Sequence, residues 1–301
     1  MNTDNVEKSD KEPGSEDKVR KYQSAEERFP QFFEITDEVL DRLHAWIDVG
    51  KKPEIKTACD VIYIASAVRA LNLYRSIVLL LKKDHWEDAV ILTRSMFELL
   101  LNIEEIQRDK VTIEDKSILF FRFNKLQQYL QAKAIHQYNV DTGRINSIDS
   151  RFEEIDKIAE LFFADFLITT KKGRKKWRNS WFGKNIKELA EASEQQPLRK
   201  RQYDVLYSYM SAFTHSAPMS VMTTVGHLDS KKNEEVEKFW LEHEENEEAQ
   251  LKLILSLSAF FVIEIILRVR CVLLDYDTTW NFKILTKLFK LNGVEPPPSP
   301  V

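Results

Sequence analysis

Two stretches of this sequence carry side chains able to do acid–base or anion chemistry at helical spacing. One is Arg94-Ser-Met-Phe-Glu98 followed by Asn102; the other sets Tyr207, Ser211 and His215 four residues apart. Residues at that spacing share a helix face, so each set forms a polar stripe. Both stripes interrupt apolar sequence, where an unpaired polar group costs about 1–3 kcal/mol and an unpaired charge more. Two such stripes satisfy one another if their helices meet. Histidine serves as general acid or base near neutral pH, and arginine stabilises charge developing on a phosphoryl oxygen. His215, Arg94 and Glu98 are therefore the candidate catalytic residues, flanked by Tyr207, Ser211 and Asn102 as binding residues. The same groups also suit a structural task, a charge-assisted bridge from His215 to Glu98. Pro218 disfavours helical geometry at Ala217, which puts His215 in a last helical turn where the carbonyl ends favour a cation. The Arg94 stripe is the more ambiguous half, because Glu87 and Glu105 fall on its face as they would on an ordinary solvated surface.

A second cluster is basic. Lys171, Lys172, Arg174, Lys175, Lys176 and Arg178 surround Trp177, with Trp181-Phe182 close behind. Such a run suits a phosphate backbone with bases stacked on the rings; it equally suits a solvated loop whose tryptophans cover the core. Glu264 and Arg268, again four apart in apolar sequence, predict a second buried ion pair.

The elements that must position these groups read as helices. Only 7 of 301 residues are glycine, too few for a fold built on hairpins. Hydrophobic periodicity predicts helices near Gln31–Val49, Lys56–Lys82, Trp86–Arg108, Ile113–Gln137, Asn146–Ile168, Lys184–Glu194, Leu198–Ser216, Glu245–Asp275 and Trp280–Leu291. Met219–His227 reads as irregular or as a stray strand. The expected fold is all-α, a single bundle of about nine helices. Residues 1–26 form a disordered charged tail, 27–291 the helical domain and 292–301 a Pro-rich tail. The third helix and the one near 253–274 are apolar nearly all round and belong at the centre. The latter carries Glu264, Arg268 and Arg270, which favours a buried helix over a membrane span.

A formal net charge of −4 gives no global attraction to nucleic acid or anionic lipid, so partners must be argued from local patches. Cys59 and Cys271 read as buried free thiols of a reducing cytosol, and a cytoplasmic setting is expected. There is no Gly-rich phosphate loop, no G-x-S-x-G elbow and no His-Glu-x-x-His pair; Asp41-x-x-His44 is an isolated near-miss to a carboxylate-bridged metal bundle. Neither a metal nor a cofactor is expected. The partner classes left open are a second copy, another protein, or RNA at residues 171–178, with no membrane.

The Arg94-x-x-x-Glu98 helix, the Lys176-Trp177 to Trp181 segment and Ser211-x-x-Thr-His215-Ser-x-Pro218 together resemble a bacterial all-helical family of unknown function, over roughly residues 55 to 275. That resemblance implies architecture more than mechanism, with polar positions at Arg94, Glu98 and His215. A more distant similarity is to the HEPN helical ribonucleases of toxin and antiviral systems, which use an Arg-x(4–6)-His motif on one helix without metal. Here Arg and His come from different helices, a departure from that motif. Two readings follow. The first is a non-enzymatic binding, sensor or accessory module in bacterial defence or regulation. The alternative is a metal-independent endoribonuclease in which His215 acts on the 2′-hydroxyl and Arg94 stabilises the phosphorane.

Overall fold

The computed structural model describes residues 24–48, 55–145, 151–214, 233–270 and 278–293. His215, Cys271 and the 219–227 stretch lie outside the described residues. The described residues are helical, apart from one short strand pair. A first short helix, α1 (Ala25–Arg28), begins just inside the stretch expected as tail, and Ala25 is fully buried. It is followed by α2 (Pro30–Asp48), α3 (Ala58–Lys82), α4 (Trp86–Gln107), α5 (Ile113–Asp141) and α6 (Arg151–Phe162). After the strand pair come α7 (Ile186–Ala192), α8 (Gln196–Arg201), a π-helical turn over Gln202–Tyr207, α9 (Ser208–Thr214), α10 (Asn233–Val269) and α11 (Thr278–Leu291).

The centre is a three-helix layer of α3, α4 and α10, which make the most extensive contacts in the molecule. Helix α3 starts where the sequence can satisfy its free amide groups. Thr57 and Asp60 form a capping box on α3, and the Glu114 carboxylate, reaching over from α5, accepts the Ala58 and Cys59 amides at 2.8 and 3.3 Å. Met96, Phe97, Leu100 and Leu101 of α4 close against Phe261 and Ile265 of α10 with almost no exposure. By length and composition alone, α3 and the Glu248–Val269 part of α10 could cross a membrane. In this fold about half of each is buried inside the bundle, which is where their apolarity is spent.

Three departures from the sequence reading have physical causes. The sixth helix stops at Phe162 rather than Ile168, and the chain turns through Ala164–Phe166 into a strand pair, β1 (Leu167–Thr169) and β2 (Lys175–Trp177), antiparallel with Ile168 opposite Lys176. The basic run is thus half strand, with Gly173 at φ +74 supplying the turn. Glu264 and Arg268 do not pair with each other. Glu264 binds Arg199 at 2.9 Å and Arg268 binds Glu104 at 2.7 Å, because two helices offer better-aimed partners than the next turn of the same one. Finally, the helix expected from Leu198 onward is interrupted by the π turn. Its buried positions are Arg199, Gln202, Tyr207, Met210 and Phe213. Steps of three hold the face before and after, and one step of five, from Gln202 to Tyr207, inserts the extra residue.

A satellite core lies beside the main one. Leu126 of α5, Ala159 of α6, Phe163 and Phe166 bury one another, with Trp177 of β2 packed on them. The strand pair is held between this cluster and the bundle.

Candidate functional site

Helix α4 presents Arg94 and Glu98 toward the π turn, where Tyr207 meets both. The Arg94 guanidinium donates to the Tyr207 hydroxyl at 2.9 Å, that hydroxyl donates to Glu98 Oε1 at 2.9 Å, and the guanidinium lies over the tyrosine ring at 4.8 Å. Arg94 Nε stands 3.1 Å from Glu98 Oε1 as an ion pair without an aligned hydrogen bond. Burial pushes the Tyr207 phenol up from its ordinary range, and the Glu98 charge adds to this against the opposing influence of Arg94. The phenol therefore keeps its proton at neutral pH, as its role of donor to Glu98 requires. Tyr203 stacks on its ring at 5.0 Å and fixes its plane. The two polar stripes do meet, and Tyr207 is the residue that joins them. The expected His215–Glu98 bridge falls outside the described residues.

These three residues form one end of an open cleft with a volume of about 900 Å³. Another part of its lining comes from β2. A strand points alternate side chains to opposite sides, and here the alternation divides the basic run. Lys176 and Arg178 line the cleft, together with Ile168 from the paired strand. Lys175 and Trp177 face the other way: Lys175 binds Glu160 of α6 at 2.7 Å and Trp177 joins the satellite core. Lys171, Lys172 and Arg174 are exposed around the hairpin turn and are not part of the cleft lining. Asn179, Ser180, Phe182, Lys184 and Asn185 complete the walls, and Glu188 lies at the start of α7.

Of the remaining expected residues, Ser211 is half-buried on α9 and lies outside the lining. Asn102 has a supporting task. Its Oδ1 accepts the indole N–H of Trp181 at 2.6 Å, and its amide donates to the Glu98 carbonyl at 2.8 Å. Trp181 is buried, so its ring is not open to a base. The face shared by Glu105 is not an ordinary solvated one either. Glu105 is 1% exposed and lies among Arg108 at 2.5 Å and Lys116 and Lys184 at 3.7 Å.

A family model described as a family of unknown function, DUF5677, matches residues 60–235. This chain belongs to that family. No curated protein and no solved structure matches it, and a relation to the HEPN ribonucleases is not shown. Every residue of the Arg94–Glu98–Tyr207 set and of the β2 wall falls within the DUF5677 segment. Among the described residues there is no group of three or more His, Cys, Asp or Glu side chains placed to hold a metal ion.

Among the lining residues that sequence reasoning missed are Gly183, Lys184 and Asn185, on the turn between β2 and α7. Asn185 and Glu188 carried a local signal, the capping box that starts α7. Gly183 has φ +76, and a Cβ there would stand 3.3 Å from Arg178 Nη1. The guanidinium lies across this turn because glycine leaves room for it. Gly183→Ala should lower stability by about 1–2 kcal/mol for the backbone conformation, with a further loss from displacing Arg178. Gly173→Ala, at φ +74 with nothing within 4 Å, should show the backbone part only. Equal drops in melting temperature for the two variants would refute the packing role of Gly183.

Proposed function

We propose that this protein is a non-enzymatic binding module, a sensor or accessory protein, whose cleft between α4 and β2 takes an anionic ligand. The observation that carries this reading is an imbalance of charge. Both carboxylates lining the cleft are engaged: Glu98 by Arg94 and Tyr207, and Glu188 by the Asn185 amide at 2.7 Å. Lys176 and Arg178 line the same cleft with no acidic partner among the described residues. Cations gathered in a concave site attract an anion more strongly than they would on an open surface. The cytoplasmic setting, with a role in bacterial defence or regulation, belongs to the same proposal and draws support from Cys59, a buried free thiol.

The test is thermal unfolding of the full chain with phosphate- and carboxylate-bearing small molecules at several salt concentrations. Saturating ligand at about 100 times Kd should add about 2.7 kcal/mol of stability. The gain should shrink as salt rises and vanish in the Lys176→Ala/Arg178→Ala double variant. No stabilisation by any anion would end this reading.

The ribonuclease alternative keeps one observation in its favour. Arg94 and two cations of the basic run share one cleft, and His215 follows Tyr207 by eight positions in the sequence. RNA incubated with the protein in EDTA decides it. Cleavage no greater than that of His215→Ala across a pH series rules it out.

A further inference from the structure

Resting on the anion-binding reading, we infer that the ligand is recognised through a chain of two or more phosphates and that a nucleobase adds little to its binding. Positive charge comes to the cleft from separate elements. Arg94 sits on α4, Lys176 on β2 with Arg178 just beyond it, and Lys184 on the turn before α7. Lys176 and Arg178 have no acidic partner among the described residues, while Arg94 and Lys184 are shared with Glu98 and Glu105. A single carboxylate or orthophosphate offers its charge at one point, whereas a phosphoanhydride chain presents charge along its length and can meet cations on several elements at once.

The aromatic rings of the cleft point the same way. A site that reads a base offers an uncovered aromatic face for stacking. Tyr207 has Arg94 over its ring at 4.8 Å and Tyr203 stacked on it at 5.0 Å. The ring of Phe182 is attended by Lys184 at 5.1 Å and Lys116 at 5.5 Å. Trp181 is buried on Asn102, and Trp177 faces the satellite core. Ring faces attended by cations that are themselves paired, Arg94 with Glu98 and Lys116 and Lys184 with Glu105, are not offered as a stacking surface. The volume of about 900 Å³ leaves a nucleoside room to sit without being gripped.

Isothermal titration of the full chain at fixed ionic strength tests this. The probes are orthophosphate, pyrophosphate, tripolyphosphate, citrate, ATP, GTP, AMP and a short single-stranded RNA lacking terminal phosphates. Tripolyphosphate, ATP and GTP should bind within about threefold of one another, and orthophosphate, citrate and AMP at least about tenfold more weakly. Lys176→Ala/Arg178→Ala should abolish binding of all three triphosphates together. Lys187→Ala, which removes an exposed neighbouring cation outside the lining, should leave it unchanged. Binding of one nucleotide more than about tenfold tighter than tripolyphosphate would overturn the inference while sparing the anion cleft. Tighter binding of the RNA than of tripolyphosphate would also overturn it, in favour of a nucleic-acid groove. No binding of any probe would end the anion-cleft reading itself.

Discussion

Replacing Arg199 with alanine should destabilise this protein by about 3–5 kcal/mol, a large share of the 5–15 kcal/mol that typically separates folded from unfolded chains. Arg199 is 0% exposed. Its Nε donates to Glu104 Oε1 at 2.9 Å, its Nη2 to Glu264 at 2.9 Å, and its Nη1 to the Gln202 side chain at 3.0 Å. Glu104, also buried, takes a further bond from Ser193 at 2.6 Å and an ion pair from Arg268 at 2.7 Å. Such a network adds little net stability compared with a well-packed apolar core, since desolvating the charges consumes most of their attraction. Breaking it is another matter, because the carboxylates stay behind in a dry site with a cation missing. Lysine is not expected to rescue, as one ammonium cannot reproduce a planar fork aimed at three acceptors. The neighbouring residue supplies the contrast. Lys200 pairs with Asp204 at 2.5 Å, but both are more than 40% exposed, so Lys200→Ala should leave stability essentially unchanged. Urea unfolding of the two variants measures the difference; a loss below about 1 kcal/mol for Arg199→Ala would show that the network is not structurally important.

Inserting one alanine after Val205 should cost on the order of 4 kcal/mol or more, whereas deleting Val205 should be tolerated. Val205 is 62% exposed in the π turn, and Val205→Ala should stay within about 0.5 kcal/mol of the parent. The turn already absorbs one extra residue between Gln202 and Tyr207; removing it leaves a step of four, the ordinary α-helical spacing of one face. A second extra residue makes the step six and rotates Tyr207, Met210 and Phe213 by about 100° away from the face of Arg199 and Gln202. Withdrawing even one or two large side chains from a core costs about 2–5 kcal/mol each. The insertion variant should also lose the bridge from Tyr207 to Arg94 and Glu98, and with it any stabilisation by anions. Thermal unfolding with and without ligand gives the answer, and an insertion variant as stable as its parent would mean that the π turn has no register to keep.

The helices were legible because apolar residues at helical spacing dominate them, and the central place of α4 and α10 followed from their being apolar nearly all round. The meeting of Arg94 and Glu98 with the Tyr207 stripe was legible too, from the cost of burying any of them alone. The sequence concealed what depends on partners far along the chain. Arg199 sits in Leu198-Arg-Lys-Arg, which looks like a solvated basic turn, and only the fold reveals that one of those cations is buried against Glu104. The π turn was hidden because each side of it obeys a helical rhythm, and a one-residue slip shows only when both sides must face the same core. Strands of three residues, one of them Lys-Lys-Trp, are too short and too charged for period-two alternation to be read.

That three-residue strand has a mechanical consequence. Lys175 and Trp177 fasten it to α6 and the satellite core, while Lys176, between them, and Arg178, just beyond, form a wall of the cleft. Side chains that alternate on one strand cannot travel separately, so any tilt of the α5–α6 pair must carry those two cations with it. Helix α5 is 29 residues long, about 43 Å at 1.5 Å per residue, and its far end exposes Ile135 and Tyr138. The two cations of the cleft, Lys176 and Arg178, are thus held in place by the packing of Phe166 and Trp177, well away from that exposed tip.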